Sequence, residues 1–153
     1  MNIKYTVTLF NPHAHIFKVT LDILSPDNNG QVLSLPAWIP GSYMIRDFAK
    51  NIINIKATSD NKAVKLEKID KSTWQVESVN SPLSIEYEVY AWDLSVRSAH
   101  FDMTHAFFNG TSLFLMPHGF EQEQASIELV APLGEKYSNW SVITSLTPNN
   151  NNK

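Results

Sequence analysis

The sequence predicts an all-β domain, a sandwich or a saddle-like bent antiparallel sheet of eight to ten short strands. Apolar and polar residues alternate with period two along much of its length, the mark of strands with one buried face. The alternating runs are short, rich in β-branched and aromatic residues, and separated by Asn, Asp, Ser, Gly and Pro, which break ladders and make turns. No window sustains the i, i+3, i+4, i+7 spacing of an amphipathic helix for three turns, which excludes alternating βαβ units.

In the first run Ile3, Tyr5, Val7 and Leu9 alternate with Lys4, Thr6 and Thr8, and Asn11-Pro12 ends it because proline lacks a ladder donor. In the second, His15, Phe17, Val19, Leu21 and Ile23 share one face, opposite Ile16, Lys18, Thr20 and Asp22, up to the turn cluster Ser25 to Gly30. Next comes LPAWIPGSYMIRDFAKN, Leu35 to Asn51, a connection crowded with two prolines, a glycine, a tryptophan, a tyrosine and the Arg46-Asp47 pair. Connections are ordinarily polar and loose. This one is built to hold a shape, and only its end, MIRDFAKN, predicts a helical turn. Four strand-like runs follow at Asn51 to Ser59, Lys62 to Ile69, Ser72 to Val79 and Pro82 to Trp92. In the last of them Ile85, Tyr87, Val89 and Ala91 share a face. Asn109-Gly110 predicts a tight hairpin turn, since both residues tolerate left-handed backbone. Thr111 to Met116, Ala125 to Pro132 and Asn139 to Leu146 complete the strands. Residues 148–153, PNNNNK, are too polar to bury surface, which predicts a disordered linker after a domain spanning 1–147.

At 153 residues the chain is long enough for a core that needs no staple. It has no cysteine, which rules out disulfides and cysteine-ligated zinc or iron-sulfur centres. A net charge of −3 without a basic block argues against nucleic acid and against an anionic membrane surface. The N-terminus alternates rather than forming the apolar core of a signal peptide, and no run is long enough to span a bilayer. A cytoplasmic location is the expectation.

Catalytic patterns are missing: no His-Glu-x-x-His, Gly-x-Ser-x-Gly or phosphate-cradling glycine loop occurs. His13 and His15 would share a face on an extended chain, but a metal site there needs a third ligand that nothing signposts. His100, Asp102 and His105, in H-F-D-M-T-H, are read as hydrogen-bonding residues of a long loop. Arg46 and Arg97 stand among apolar residues and need acceptors. Either they pair with Asp47, Asp93 or Asp102 and pin loops together, or they line a surface facing a ligand or a neighbouring domain. Trp38, Trp74, Trp92 and Trp140 divide in the same way between core and contact surface.

Three segments taken together carry a resemblance: LPAWIPGSYMIRDFAKN, YEVYAWDLSVRSAHFD (Tyr87 to Asp102) and HAFFNGTSLFLMPHGFE (His105 to Glu121). In order and spacing they resemble the N-terminal domain of the glycyl aminopeptidase family of zinc metallopeptidases, over about Tyr5 to Leu146. The resemblance implies a non-catalytic β domain that packs on a thermolysin-like catalytic domain, often followed by a PDZ domain, both outside this sequence. It implies peptide substrates with small N-terminal residues, glycine or alanine, and a zinc ion held by the catalytic domain. No cofactor, metal ligand or catalytic residue is expected in this segment, its histidines included. Trp38, Tyr43, Arg46, Asp47, Arg97 and Asn109 are the candidates for docking the catalytic domain or walling the substrate cleft. Pro36, Pro40 and Gly41 shape that loop, and Trp38 and Tyr43 offer large area to bury. The alternative is a free-standing sandwich module, for example one that binds carbohydrate on Trp38, Trp92 or Trp140.

Overall fold

In the computed structural model, which describes residues 1–148, the first two alternating runs become β1 (Ile3–Asn11) and β2 (Ile16–Ile23). Asn11 closes the turn between them, its Oδ1 accepting from the backbone of His13 and Ala14 at 3.1 and 3.0 Å. Ile3, Tyr5 and Val7 on β1, and Phe17, Val19, Leu21 and Ile23 on β2, face inward. Most of the expected linker, residues 149–153, lies outside the described residues.

β2 pairs antiparallel with β8 (Leu83–Tyr90), β8 with β4 (Ile52–Ser59), and β4 with β5 (Lys62–Val64). On the other side of β1 runs β12 (Ala125–Val130), in parallel, giving the sheet order β12-β1-β2-β8-β4-β5. A parallel neighbour needs a long crossover. β12 reaches β1 only after the chain has passed through the other two sheets, so this edge departs from a purely antiparallel arrangement.

The second sheet is β11 (Met116–Pro117), β3 (Val32–Ser34), β7 (Thr73–Val76) and β6 (Leu66–Lys68), in that order. Its Leu33, Trp74 and Val76 join the inward residues of the first sheet in one buried cluster with Leu35, Phe48, Leu113 and Leu115. A two-stranded hairpin, β9 (Ala99–Phe101) and β10 (Ala106–Phe108), closes one side of that core. Phe17 holds it there, stacked on Phe101 at 4.9 Å and edge-on to Phe108 at 5.5 Å.

The described residues form twelve strand segments of an all-β fold. The run Lys62 to Ile69 divides in two because the Lys65 amide donates to the Glu77 carboxylate at 2.8 Å instead of continuing a ladder. The hairpin turn expected at Asn109-Gly110 and the strands expected at Thr111 to Met116 and Asn139 to Leu146 are something else, with Gly110–Leu113 helical and only Met116 of the first run in a strand. Asn109-Gly110 is no hairpin turn: Asn109 is extended, caps the short helix α1 (Gly110–Leu113) and accepts from Ser112 N at 3.1 Å. A side chain that caps a helical turn competes well with strand pairing. Among the described residues Asn139 to Leu146 pairs with no strand, and Val142 and Ile143 stand exposed. Among the described residues no helix is long and apolar enough to cross a membrane.

Two buried tyrosines tie the sheets to the segment after α1. The Tyr5 hydroxyl donates to Leu115 O at 2.7 Å. The Tyr87 hydroxyl donates to Leu113 O at 2.8 Å and accepts from Leu115 N at 3.2 Å.

Candidate functional site: two braced loops with exposed apolar tips

The connection Leu35 to Asn51 is pinned at its base and bare at its tip. Leu35 is buried and its amide donates to Ser72 O at 2.9 Å. Ala37 O accepts from both Arg46 N, at 2.7 Å, and Asp47 N, at 3.2 Å, which cinches the loop shut. Inside the cinch, Ser42 N donates to Ile39 O at 3.2 Å across Pro40-Gly41, and Gly41 has φ +82°. Proline fixes the first turn position, and only glycine takes the left-handed second one without strain.

The loop leaves through Asp47, itself left-handed at φ 48°, into a 3-10 turn at Phe48–Asn51 whose Phe48 and Ala49 are buried. Lys71 Nζ lies 2.9 Å from Asp47 Oδ1, a buried oxygen of a half-exposed carboxylate. The loop is therefore ordered by its own backbone, while Trp38 (50%), Tyr43 (106%), Met44 (62%) and Ile45 (61%) are exposed. The area that Trp38 and Tyr43 were expected to bury is not buried within this chain.

Neither arginine finds the carboxylate that its apolar company called for. Asp47 pairs with Lys71, and Asp102 contacts His100 and His105. Among the described residues Arg46 and Arg97 take part in no ion pair, and the buried Arg46 Nε has no hydrogen-bond partner.

The second loop, Ala91 to Ser98, is braced through α1. Its backbone folds on itself, with Ser95 N donating to Asp93 O at 2.8 Å and Ser98 N to Ser95 O at 3.0 Å. Asn109 Nδ2 donates to Val96 O at 3.3 Å and Ser98 O at 3.4 Å, and Ser112 Oγ to Ser98 O at 3.1 Å. This loop also leaves apolar residues in water, Leu94 and Val96, next to the exposed Arg97. Because α1 also packs on the 3-10 turn Phe48–Asn51, it links the two loops.

The structure thus ties all six sequence-chosen residues to one pair of linked loops, with differing parts. Trp38, Tyr43, Arg46 and Arg97 present side chains, Asp47 makes the strained exit, and Asn109 is a brace rather than a contact. Asn109→Ala removes a helix cap and two loop hydrogen bonds, and is expected to cost about 1–2 kcal/mol. Urea unfolding checks this, and a loss near zero would mean that α1 and the 91–98 loop need no brace. Met44, Ile45, Leu94 and Val96 were not singled out, because alternation and motif spacing do not tell an exposed apolar residue from a core one.

Such an arrangement holds no nucleophile with an activating base. Chemically it offers an apolar contact surface on hydrogen-bonded loop bases with, among the described residues, two unpaired guanidiniums, the make-up of an interface. Elsewhere, the H-F-D-M-T-H run forms the turn of the β9–β10 hairpin. Asp102 Oδ1 accepts from Thr104 Oγ1 and Thr104 N, each at 2.7 Å, and from His105 N at 3.0 Å. The Thr104 hydroxyl, followed by these amides, holds the carboxyl well below the usual carboxylate range.

The family model described as the Peptidase M61 N-terminal domain matches residues 4–153. The crystal structure of an aminopeptidase N family protein from Idiomarina loihiensis is similar, at 43% identity and a TM-score of 0.82, covering 85% of this chain and 22% of that one. The chain therefore spans about a fifth of that protein's length. No curated protein matches.

Proposed function

Since the chain belongs to the Peptidase M61 N-terminal domain family, we propose that it is the non-catalytic β domain of a zinc aminopeptidase for peptides with small N-terminal residues, glycine or alanine. In this reading it docks the catalytic domain of its own polypeptide and helps to wall the substrate cleft. The observation that carries the docking role is the pair of ordered loops holding Trp38, Tyr43, Met44, Ile45, Leu94 and Val96 in water. A loop loses conformational entropy when an interface forms; the hydrogen bonds at the base of each of these loops reduce that cost, so their apolar area contributes more fully to association. The free guanidiniums of Arg46 and Arg97 are suited to carboxylates or carbonyls across such an interface. No His-Glu-x-x-His run occurs in the 153 residues, so the zinc is assigned to the catalytic domain and no step of its chemistry to these side chains.

In the intact enzyme, Trp38→Ala and Arg46→Ala are each expected to lower kcat/KM or the melting temperature of the catalytic domain. Neither side chain is buried in this chain's core, so this domain alone should melt as before. Unchanged kinetics and melting in both variants would overturn the docking role. The carbohydrate alternative is less well supported: Trp92 already packs on His15 at 3.9 Å and His100 at 4.9 Å, and Trp140 is edge-on to Tyr137 at 5.3 Å. A glycan titration that shifted tryptophan fluorescence would restore it.

A further inference from the structure

The turn of the β9–β10 hairpin gathers two imidazoles and a carboxylate. His100 lies in the middle of β9, Asp102 just after it and His105 just before β10, and Asp102 N donates to His105 O at 3.1 Å to close the turn. The residues two apart, His100 and Asp102, share a side, with His100 Nε2 at 3.2 Å from Asp102 Oδ2. His105 Nδ1 is 3.5 Å from Asp102 Oδ1, and its ring stacks on that of His100 with centroids 5.0 Å apart. One ligand atom from each of the three residues lies within 4.8 Å of the other two, the only such group among the described residues.

We propose that His100, Asp102 and His105 form an open binding site for a divalent transition ion of the zinc type, with water filling the remaining positions. Two atoms bound to one ion at 2.0–2.2 Å stand about 2.9–3.5 Å apart in octahedral or tetrahedral geometry. The 3.2 Å separation of His100 Nε2 and Asp102 Oδ2 falls in that range before any ion is present. His105 Nδ1 stands 3.5 Å from the other carboxylate oxygen, Oδ1, and 2.9 Å from Thr104 Oγ1, so an ion would draw it from the threonine hydroxyl toward Oδ2. The donor set of two imidazoles and a carboxylate suits zinc, nickel or copper and not magnesium or calcium, which take oxygen ligands.

The loop hydrogen bonds expected for these residues and the metal site divide the carboxylate between them. All three turn bonds end on Asp102 Oδ1, which fixes the carboxylate in place; Oδ2 meets only His100 Nε2. His100 Nδ1 is buried without a hydrogen-bond partner, so no acceptor on that side selects the tautomer. What lies between Nε2 and Oδ2 decides it, and a proton and a metal ion compete for that position. His100 is held rigid, with 6% of its side chain exposed, while Asp102 and His105, at 24% and 49%, leave an entry path. The other histidines are placed differently. His15 Nδ1 is 2.7 Å from Phe101 O, His118 Nε2 is 2.8 Å from Ser34 Oγ, and His13 is exposed in the β1–β2 turn.

The test is calorimetric titration of the tag-free, chelator-stripped 153-residue chain with Zn2+ near neutral pH, with Co2+ absorption as a second probe. One ion per chain is expected, with affinity reduced at least ~10-fold by His105→Ala and by Asp102→Asn. His13→Ala should leave it unchanged. His105 is half exposed, so its loss does not threaten the fold, and circular dichroism confirms that. No saturable binding at millimolar Zn2+, or equal affinity in the wild type and His105→Ala, overturns the proposal. Neither result bears on the docking role, which is read from the activity of the intact enzyme.

Discussion

Phe17→Ala is expected to destabilise the domain by about 3–5 kcal/mol, the usual cost of emptying a large aromatic site in a core. Phe17 is completely buried in β2, where its backbone pairs with Val89 and its ring meets Phe101 and Phe108. The six-stranded sheet lies on one side of that ring and the β9–β10 hairpin on the other. A rigid sheet cannot collapse into the space, so the cavity term adds to the lost transfer energy. The melting temperature should fall by roughly 10 °C. There is also a functional consequence, because the hairpin leads directly into the Arg97 loop at one end and Asn109 at the other. Loosening it should unseat the second contact loop and weaken docking even where the domain remains folded. Urea unfolding measures the first effect. A loss below about 1 kcal/mol would mean that the hairpin does not pack on the sheet as described.

Tyr87→Phe should be nearly as damaging although it deletes one oxygen atom. The hydroxyl lies in the core, where it satisfies Leu113 O and Leu115 N together. Without it both backbone groups remain buried and unpaired, at a cost of roughly 2–4 kcal/mol. The same burial makes the domain sensitive to alkali. Desolvation pushes the Tyr5 hydroxyl up to about 12, and burial raises that of Tyr87 further still. In the unfolded chain both ionise near their ordinary value of 10.0. The folded state thus favours the neutral phenols, and their contribution is fully present below pH ~10 and is lost as pH rises toward and beyond ~12. For Tyr5, which is 5% exposed, that contribution is roughly 2–3 kcal/mol. Urea midpoints between pH ~9 and ~12 should fall steeply in the wild type and less steeply in Tyr5→Phe. Equal slopes would sink the account.

Much of the fold was legible because strand alternation is a local property. The inward set of β1, β2 and β8, from Ile3 to Val89, can be picked out by eye, and the helical turn at the end of MIRDFAKN occurs at Phe48–Asn51. The errors fell where one side chain outcompeted a pattern. Asn109-Gly110 fits a hairpin turn and a helix cap equally well, and the choice rests on Ser112 N being within reach of Asn109 Oδ1. Asn139 to Leu146 has the pattern of a strand but no strand beside it. Of the two readings of Arg46 and Arg97, the pairing with Asp47, Asp93 or Asp102 does not occur among the described residues: Asp47 lies beside Lys71 and Asp102 beside the hairpin histidines, neighbours that sequence spacing does not reveal.

By itself the sequence determined the all-β class, the inward face of the long strands and the Pro40-Gly41 turn inside the Leu35 to Asn51 loop, because period, proline and glycine act over a few bonds. Only the tertiary structure decided that β12 runs parallel to β1, that α1 links two contact loops, that Trp38 and Tyr43 face water, and that His100, Asp102 and His105 converge. Each of these depends on which distant segments meet, and burial, pairing and ligand geometry are properties of that meeting rather than of any residue alone.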